Sequence, residues 1–476
     1  MTTTRPKANG LLDSLQPYRY QWPAAPFNDD AAWRADARHE YLLRDLPENE
    51  ADMQRDSRWP ALFPAPMCIV TTGDGQIGAM EREVGASIVN RFPYVVAISL
   101  CRQSLSSRHH ERANFMHLLE RTGAACLQFL APGPELNAAL DAIGALPDER
   151  VTERIARSGL RTRRCETNGA PVLEAAYLAY EAKLVKPQKD FDGRPIYSSP
   201  WIDVGSHRVY FLEINAIQLR EDIATGRSQI HWRALPVWSP QEQPQAANAG
   251  NVAAAAAQAR YSKPYNPNYA FPAASTIAFE FDASRHGMAI KHLPPLPQDQ
   301  VEVDNDRARW PCFFPSSCGL ITTWGDDGQP NLMPCGSTTV VSRHPFVIAP
   351  CVSYARINER YAARHSLGIL RATKRFGCSV PYIDDVVING MKYAGNNSMA
   401  DDPRKVANSG LSVGPSEYGP VIKEAPIHFD CEVVGEVLLG THVMFLGEVK
   451  RIHVRADVSP ASPLEWCPWP GLASAA

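Results

Sequence analysis

Short apolar and β-branched runs alternate with glycine, proline and aspartate along most of the chain. Two such runs are separated by GDG at 73–75, and two similar runs by GDDG at 325–328. Asp and Gly tolerate the backbone angles of tight hairpins, so each pair of runs is expected to form two antiparallel strands. Helical periodicity within these regions is limited to 111–123 and 360–374. The pattern predicts a mainly β fold, a β-barrel with a few peripheral helices.

The same pattern occurs twice. The segment RWPALFPAPMCIVTT begins at Arg58, and RWPCFFPSSCGLITT begins at Arg309. Further pairs follow in the same order: RAN and RHS, then APVLEAA and GPVIKEA, and finally GSHRVYFLEI and GTHVMFLGEV. Matching order and spacing indicate a tandem duplication of roughly 170 residues per copy.

The duplication divides the chain into four segments. We predict an N-terminal extension (1–57), a divergent repeat 1 (58–235), a linker (236–300) and a repeat 2 (301–476). The linker is rich in Ala, Gln, Pro and Asn, and its polar, proline-rich parts cannot build a core. A chain of 476 residues is also too long for one hydrophobic core, which agrees with two domains.

Composition and charge exclude several classes of protein. Apolar residues make up 45% and charged residues 21% of the chain, which is typical of a globular protein. The formal net charge of −3 gives no bulk attraction to nucleic acid or to an anionic membrane. The sequence has no signal-peptide core and no apolar run of membrane-spanning length, so we expect a cytoplasmic protein. It contains neither a dinucleotide-binding glycine motif nor a P-loop.

The 11 cysteines show no CxxC pair and no zinc-like spacing with histidine. Reduced thiols in a large cytosolic protein fit this distribution better than a disulfide framework. No metal site is predicted.

The ordered motifs resemble the flavin reductase-like, FMN-binding split-barrel family. They are an aliphatic strand ending in Thr-Thr, an Asn-x-Met-x-x-x-Ser segment before a Pro-containing strand, an Arg/Ser loop, and a Gly-x-His strand. The resemblance spans most of 58–220 and 309–455. It implies a homodimer-like arrangement with the flavin in a groove near the interface. Two copies in one chain therefore imply an intramolecular pseudo-dimer of two split barrels.

The resemblance places the better-preserved flavin site in repeat 2. Within PNLMPCGSTTVVSRHP it assigns flavin contacts to Asn331, Met333, Ser337, Thr338 and Thr339. Hydroxyl and amide groups of this kind can bond the ribityl and pyrimidine oxygens of a flavin.

The RYAARHS segment is the candidate for the flavin phosphate. Arg360 and Arg364 are expected one helical turn apart on one face, with His365 and Ser366 at the turn. Arginine offers a planar fork, and serine a hydroxyl, to phosphate oxygens. A solvated basic helix face is the alternative.

His442, in the Gly-Thr-His strand, is the candidate catalytic residue. The resemblance places such a histidine near the flavin and the nicotinamide-binding face, where imidazole can bond a cofactor oxygen or relay a proton. A strand histidine bonded to a backbone carbonyl is the alternative. The loop with Asp402 and Lys405 is expected to cover the substrate side, or to be an ordinary surface loop.

Repeat 1 departs from the family pattern. Its GAMEREVGASIVNRFP segment brings Glu81, Arg82 and Glu83 to a place where the family prefers small neutral residues. We therefore expect its site to be altered or empty. An insert in repeat 1, KPQKDFDGRPIYSSPWID, is a candidate for shaping a substrate pocket.

The resulting prediction is an FMN-dependent oxidoreductase that uses NAD(P)H and acts on flavin or on a small organic substrate. FAD is the alternative flavin, and a flavin-dependent monooxygenase is a candidate partner. The chain is expected as a monomeric pseudo-dimer or a homodimer, without nucleic acid or membrane partners. A non-catalytic flavin- or heme-binding pseudo-dimer is the alternative function, since split barrels also serve as binding modules.

Overall fold

The structure is a computed structural model. It describes residues 41–44, 68–82, 85–90, 93–102, 112–130, 134–189, 195–220, 224–225, 229–230, 288–292, 319–343, 345–354, 363–380, 385–425 and 427–455. The strands up to the end of repeat 1 are β1 (Tyr41–Arg44), β2 (Ile69–Gly73), β3 (Gly78–Arg82), β4 (Gly85–Asn90), β5 (Val95–Cys101), β6 (Ala124–Leu130), β7 (Thr162–Arg164), β8 (Pro171–Leu173), β9 (Ala176–Leu184), β10 (Gln188–Lys189), β11 (Pro195–Tyr197), β12 (Trp201–Val204), β13 (His207–Arg220), β14 (Ala224–Thr225) and β15 (Gln229–Ile230). The later strands are β16 (Met288–His292), β17 (Gly319–Trp324), β18 (Pro330–Cys335), β19 (Thr338–Arg343), β20 (Phe346–Ser353), β21 (Arg375–Val380), β22 (Val413–Gly414), β23 (Val421–Ile422), β24 (Ile427–Leu439) and β25 (His442–Arg455).

Helices are few and lie outside the sheets. They are α1 (Ala113–Thr122), α2 (Pro134–Ala145), α3 (Arg154–Ser158), α4 (His365–Thr373), α5 (Asp385–Asn396) and α6 (Lys405–Asn408), with a 3-10 helix over Asp148–Glu153. The helix predicted within 111–123 is confirmed as α1, which ends at Gly123 in the left-handed conformation (φ 62°). No helix in the described ranges is long and apolar enough to cross a membrane.

Two antiparallel sheets have the same strand order. The sheet of repeat 1 runs β3-β2-β6-β9-β13-β5-β4, and the sheet of repeat 2 runs β18-β17-β21-β24-β25-β20-β19. The predicted hairpins at the GDG and GDDG turns are β2–β3 and β17–β18. The predicted mainly β fold and the tandem duplication are therefore confirmed.

The central strands are apolar on both faces because each face lines a different core. In β5, Val96, Ile98 and Leu100 contribute to the core of repeat 1, whereas Val95 and Ala97 contribute to a core shared by both repeats. Strand β20 divides its side chains between the core of repeat 2 and the same shared core. Successive side chains of a strand point to opposite faces, so one strand can stabilise a barrel and an interface together.

Polar contacts also cross the shared core. Ser99 Oγ of repeat 1 donates a hydrogen bond to the Val341 carbonyl oxygen of repeat 2 (2.9 Å). The Thr441 backbone N–H of repeat 2 donates to Asn90 Oδ1 of repeat 1 (3.0 Å). The two repeats thus form the pseudo-dimer within one chain.

Part of the insert in repeat 1 also belongs to the shared core. Tyr197 and Ile202 of the insert are buried there, together with Val204 directly after it, beside apolar side chains of repeat 2. These residues therefore stabilise the contact between the repeats.

The strand before each repeat pairs with the sheet of the other repeat. β1 precedes repeat 1 but pairs with β25 of repeat 2, with Tyr41 opposite Arg455. β16 precedes repeat 2 but pairs with β13 of repeat 1, with Met288 opposite Arg220. The sequence pattern predicts neither strand, since they have only four and five residues and fall within the extension and the linker. Each sheet is completed by a strand from the segment before the other repeat.

Candidate functional site

Asn331 joins two of the predicted site segments. Its side chain is 1% exposed, and its Nδ2 donates hydrogen bonds to Ser366 Oγ (2.9 Å) and Thr323 Oγ1 (3.0 Å). Asn331 Oδ1 has no hydrogen-bond partner among the described residues. The amide therefore orients Ser366 at the start of α4 and keeps one buried acceptor open.

Arg364 is the N-cap of α4, where the backbone is extended (φ −77°, ψ 136°). Its backbone N–H donates to the Ser353 carbonyl oxygen (3.0 Å). The helical face predicted for Arg360 and Arg364 is therefore wrong at Arg364, because an N-cap residue lies outside the helical conformation. Arg360 lies outside the described residues, and His365 is the exposed first residue of α4.

Lys405 is a site residue that the sequence pattern presents only as part of a loop. It is 5% exposed, although lysine is rarely buried without a partner. Burial and the positive charge of Arg364 lower the pKa of Lys405 to about 8. Within the described ranges, neither cation forms an ion pair. Two neighbouring cations of this kind favour a bound anion.

Repeat 1 allows a direct comparison, because equivalent positions follow from the strand registers. Glu81 lies opposite Val70, and Met333 lies opposite Ile321. Val70 and Ile321 each stand directly before the Thr-Thr pair of their repeat. Glu81 of repeat 1 and Met333 of repeat 2 are therefore equivalent.

The two cations of repeat 2 also have equivalents. Arg112 and Arg364 are the N-caps of α1 and α4. Arg154 and Lys405 each stand four residues before a Ser-Gly-Leu sequence. This shared spacing is the sequence signal that could have identified Lys405.

In repeat 1 a carboxylate joins both cations. Glu81 Oε2 lies 2.9 Å from Arg112 Nε and accepts a short hydrogen bond from Arg154 Nη1. Glu81 and Arg154 are fully buried. Because Met333 occupies the position of Glu81 in repeat 2, the two cations there lack this internal carboxylate.

A second carboxylate accepts a hydrogen bond from a backbone amide at the start of α1. The Asn114 backbone N–H donates to Asp148 Oδ2 (2.5 Å), and Asp148 is buried. Among the residues that the structure describes, no carboxylate bonds the first amides of α4, and the residue at the spacing of Asp148 is Met399. Helix N-termini attract anions through their unpaired amides. In repeat 1 a carboxylate of the protein thus bonds an amide at the start of α1, whereas the equivalent amides of α4 have no such carboxylate among the described residues.

Thr339 is the predicted flavin contact that lies at the interface between the repeats. Its Oγ1 is buried without a hydrogen-bond partner in the described part of the chain. A Cβ at Gly85 of repeat 1 would lie only 2.4 Å from this oxygen, so glycine permits the close approach. Met333, on β18, is also buried. A ligand bound here would therefore lie near both repeats.

Thr338 and Ser337 are engaged with the turn between β18 and β19. Thr338 Oγ1 donates to the Cys335 carbonyl oxygen (2.9 Å), and the Ser337 carbonyl oxygen accepts from the Cys351 backbone N–H (2.8 Å). Burial raises the pKa of the Cys335 thiol, which keeps it protonated at neutral pH. These contacts hold the turn in place.

His442 begins β25 at the contact between the repeats. Thr441 Oγ1 lies 2.7 Å from His442 Nδ1 and also bonds Asn90 Oδ1 of repeat 1. Across the sheet, His442 lies opposite Ser353, whose carbonyl oxygen accepts from the Arg364 backbone N–H. His442 is therefore connected both to repeat 1 and to the strand end beside Arg364.

Comparison with known families agrees with this geometry. A sequence model described as the flavin reductase like domain matches residues 61–234 and 312–468, which together exceed half of the chain. The chain belongs to the flavin reductase like domain family.

Relatives of this flavin reductase-like chain each match about one repeat. An uncharacterised protein of Pyrococcus abyssi is 28% identical over 142 residues, which cover 29% of this chain and 73% of that protein. The FMN-binding protein from Thermus thermophilus, solved with p-hydroxybenzaldehyde, is 17% identical with a TM-score of 0.25, covering 29% of this chain and 72% of that one. Flavoredoxin of Desulfovibrio vulgaris is 22% identical with a TM-score of 0.26, covering 30% and 71%.

The two flavin reductase-like repeats differ in the anion that they can accept. The Arg364 guanidinium, the Lys405 ammonium and the Ser366 hydroxyl are groups that bind phosphate oxygens in proteins. This donor set fits a phosphate monoester. In repeat 1 the buried Glu81 carboxylate occupies the equivalent position and pairs with both cations.

Proposed function

We propose that repeat 2 binds FMN and that the chain is an FMN-dependent oxidoreductase that uses NAD(P)H. The observation that carries the proposal is the pair of cations, Arg364 and Lys405, beside the start of α4, where repeat 2 lacks the carboxylate that repeat 1 supplies. Membership of the flavin reductase like domain family makes a flavin phosphate the anion that this pair would bind.

The proposed phosphate contacts are Arg364, Lys405 and the Ser366 hydroxyl. Asn331 Oδ1 and Thr339 Oγ1, both buried and without hydrogen-bond partners among the described residues, are proposed to bond polar groups of the flavin. Bound FMN supplies the hydride chemistry, for which the protein needs no group of unusual acidity. FMN is preferred to FAD because two cations at one helix start suit a terminal phosphate dianion.

His442 is proposed to orient the nicotinamide or the substrate beside the flavin. The Thr441 hydroxyl fixes the orientation of its ring, and an imidazole can hold a proton near neutral pH. The proposed hydride acceptor is flavin or a small organic molecule. If the protein releases its reduced flavin, the proposed partner is a flavin-dependent monooxygenase that uses it.

The first test is the visible spectrum of the purified protein, with release and quantification of the chromophore. We expect flavin bands with one FMN per chain, because Glu81 pairs with both cations of repeat 1, whereas no carboxylate among the described residues pairs with those of repeat 2. We also expect the loaded protein to oxidise NADH or NADPH. A Soret band, or a protein that takes up no added FMN, would contradict the proposal. If the protein binds FMN but oxidises neither NADH nor NADPH, the proposal of FMN binding stands and the proposal that NAD(P)H is the reductant is wrong.

Arg364→Ala is expected to weaken FMN binding at least tenfold, because a hydrogen bond to a charged group contributes about 1.5–3 kcal/mol. The control is Arg371→Ala on the same helix, whose guanidinium pairs with Glu436 at the surface (3.1 Å). That variant should bind FMN as the wild type does. Fluorescence titration of FMN measures both affinities, and equal affinities would exclude Arg364 from the site.

The pKa of Lys405 predicts how FMN binding depends on pH. In the free protein this pKa is lowered to about 8, so Lys405 loses its positive charge as pH rises above that value. A bound phosphate favours the charged form and raises the pKa again. The affinity for FMN should therefore change little between about pH 7 and pH 8 and fall by up to tenfold per pH unit above about pH 8. Below about pH 7 the phosphate itself takes up a proton, so the effect of Lys405 is tested above that value.

Titrations of FMN between pH 7 and pH 10 test this expectation. The matched control is Lys405→Arg, which stays charged throughout this range and copies Arg154 of repeat 1. Its affinity should not fall above pH 8. A wild-type affinity that is independent of pH would remove Lys405 from the phosphate site.

A further inference from the structure

A second buried polar cluster lies in repeat 2, on β24 and β25. His428, Asp430 and His453 are 0%, 1% and 6% exposed. His428 and His453 lie directly opposite each other across the two strands. Ionisable groups at this depth are usually paired or coordinate a metal. None of the three belongs to the proposed flavin site.

The carboxylate lies between the two imidazoles. His453 Nε2 is 2.7 Å from Asp430 Oδ2, and His428 Nε2 is 3.3 Å from Asp430 Oδ1. The rings are nearly perpendicular (85°), with centroids 5.2 Å apart, and the three ligand atoms lie within 4.8 Å of one another. Ligand atoms about 2.0–2.2 Å from one tetrahedral zinc ion are themselves about 3.3–3.6 Å apart. The cluster therefore needs only small shifts to enclose an ion.

Gly377 packs directly against this cluster, and the His428 ring and the Thr322 hydroxyl fill the place that a side chain would take. A Cβ at Gly377 would lie 2.6 Å from His428 Nε2 and 2.4 Å from Thr322 Oγ1. Thr322 Oγ1 is buried without a hydrogen bond in the described part of the chain, whereas His428 Nε2 has the 3.3 Å contact with Asp430 Oδ1. Thr322 Oγ1 is thus a further polar atom beside the cluster that a bound ligand would satisfy.

Outer hydrogen bonds orient the ligand side chains. Ser379 Oγ lies 2.7 Å from His428 Nδ1 and accepts from the Ile422 backbone N–H (3.3 Å). Ser416 Oγ donates to Asp430 Oδ1 (2.6 Å). A partner on the second ring nitrogen of a histidine is typical of metal sites, because it fixes the tautomer and the ring orientation.

Repeat 1 shows what the fold requires at these positions without the cluster. By strand register, the equivalents of Gly377, His428, Asp430 and His453 are Cys126, Ala179, Glu181 and Gln218. Glu181 accepts hydrogen bonds from the Glu166 and Thr167 backbones, the Thr167 hydroxyl and the Gln218 amide. The acid is thus fully satisfied by hydrogen bonds, and Cys126 stands where repeat 2 has Gly377. Both histidines, and the glycine that lets one of them pack so closely, are specific to repeat 2.

We propose that His428, Asp430 and His453 bind one divalent transition-metal ion, with the Thr322 hydroxyl beside them as a further polar group. Two imidazoles and a carboxylate suit zinc and its first-row neighbours rather than calcium or magnesium. The cysteine and histidine spacing predicts no metal site, because the two histidines are far apart in sequence and meet only across β24 and β25.

The test uses the full-length protein, freed of metal with a chelator and titrated with Zn²⁺. We expect one tightly bound zinc per chain after dialysis, measured by plasma mass spectrometry, and a rise in the unfolding temperature with zinc. His453→Gln and His428→Ala copy the residues of repeat 1, and each should lower the zinc affinity at least a hundredfold. The control is His117→Gln, which replaces an exposed histidine of α1 and should bind zinc as the wild type does.

The site is supported if the wild type retains zinc and the two cluster variants do not. A wild-type chain that retains no zinc, or His453→Gln binding zinc as tightly as the wild type, would overturn it. Cobalt(II) titration of the wild type needs no variant: ligand-field bands at one equivalent support the site, and their absence counts against it. FMN retention, measured on the same samples, separates this result from the test of the flavin site.

Discussion

Met333→Glu is expected to lower the affinity of repeat 2 for FMN roughly a hundredfold or more. The substitution places a carboxylate at the position equivalent to Glu81, from which it is expected to pair with Arg364 and Lys405 as Glu81 pairs with Arg112 and Arg154. Charged hydrogen bonds contribute about 1.5–3 kcal/mol each, and an internal carboxylate competes for two of them. The variant should fold, because repeat 1 accommodates the same arrangement. Fluorescence titration gives the affinity, and circular dichroism checks the fold.

Met333→Gln is the matched control, since it has the shape of glutamate without its charge. It should retain most of the wild-type affinity for FMN. A folded Met333→Glu protein that binds FMN as tightly as Met333→Gln would show that this position does not face the phosphate.

Glu81→Gln is expected to destabilise the protein by about 3–5 kcal/mol, the usual cost of leaving a buried charge without its partner. The substitution leaves Arg154, which is fully buried, and Arg112 without their shared carboxylate. Inorganic phosphate should restore part of the lost stability, because repeat 1 then has an open anion site. Denaturant unfolding with and without phosphate measures both effects, with the wild type showing the smaller response to phosphate.

Glu153→Gln is the control for this experiment. Glu153 also pairs with an arginine, Arg150 (2.5 Å), but both side chains are more than half exposed. Exposed ion pairs add little to stability, so this variant should unfold as the wild type does. Glu81→Gln with wild-type stability, or without any response to phosphate, would show that Glu81 does not substitute for a bound anion.

The fold is predictable from the sequence because its signals are local and occur twice. The GDG and GDDG turns close β2–β3 and β17–β18, and the paired motifs keep their order around them. The exchanged strands β1 and β16 carry no comparable signal. They are short, and their partners lie in the other repeat, so only the three-dimensional pairing defines them.

The candidate site is predictable only in part, because its charges meet through tertiary packing. Asn331 and Ser366 stand in separate predicted segments, and the structure joins them by a hydrogen bond. Lys405 is buried by the way in which α6 folds back on β18, which no local pattern encodes. Glu81 is visible in the sequence as an unexpected charge, but its pairing with two arginines is not. Whether repeat 1 is empty stays a prediction.

The exchange of β1 and β16 has a consequence for synthesis on the ribosome. Repeat 1 obtains β16 soon after β13 has been made, whereas β1 waits for β25, close to the end of the described chain. At about 5–20 residues per second, that delay is on the order of half a minute. During this time β1 is an unpaired edge, which is a hazard for aggregation. The nascent chain therefore carries the strands of repeat 1 while β1 waits for its partner, and β1 can pair only once β25, the last strand that the structure describes, has been made.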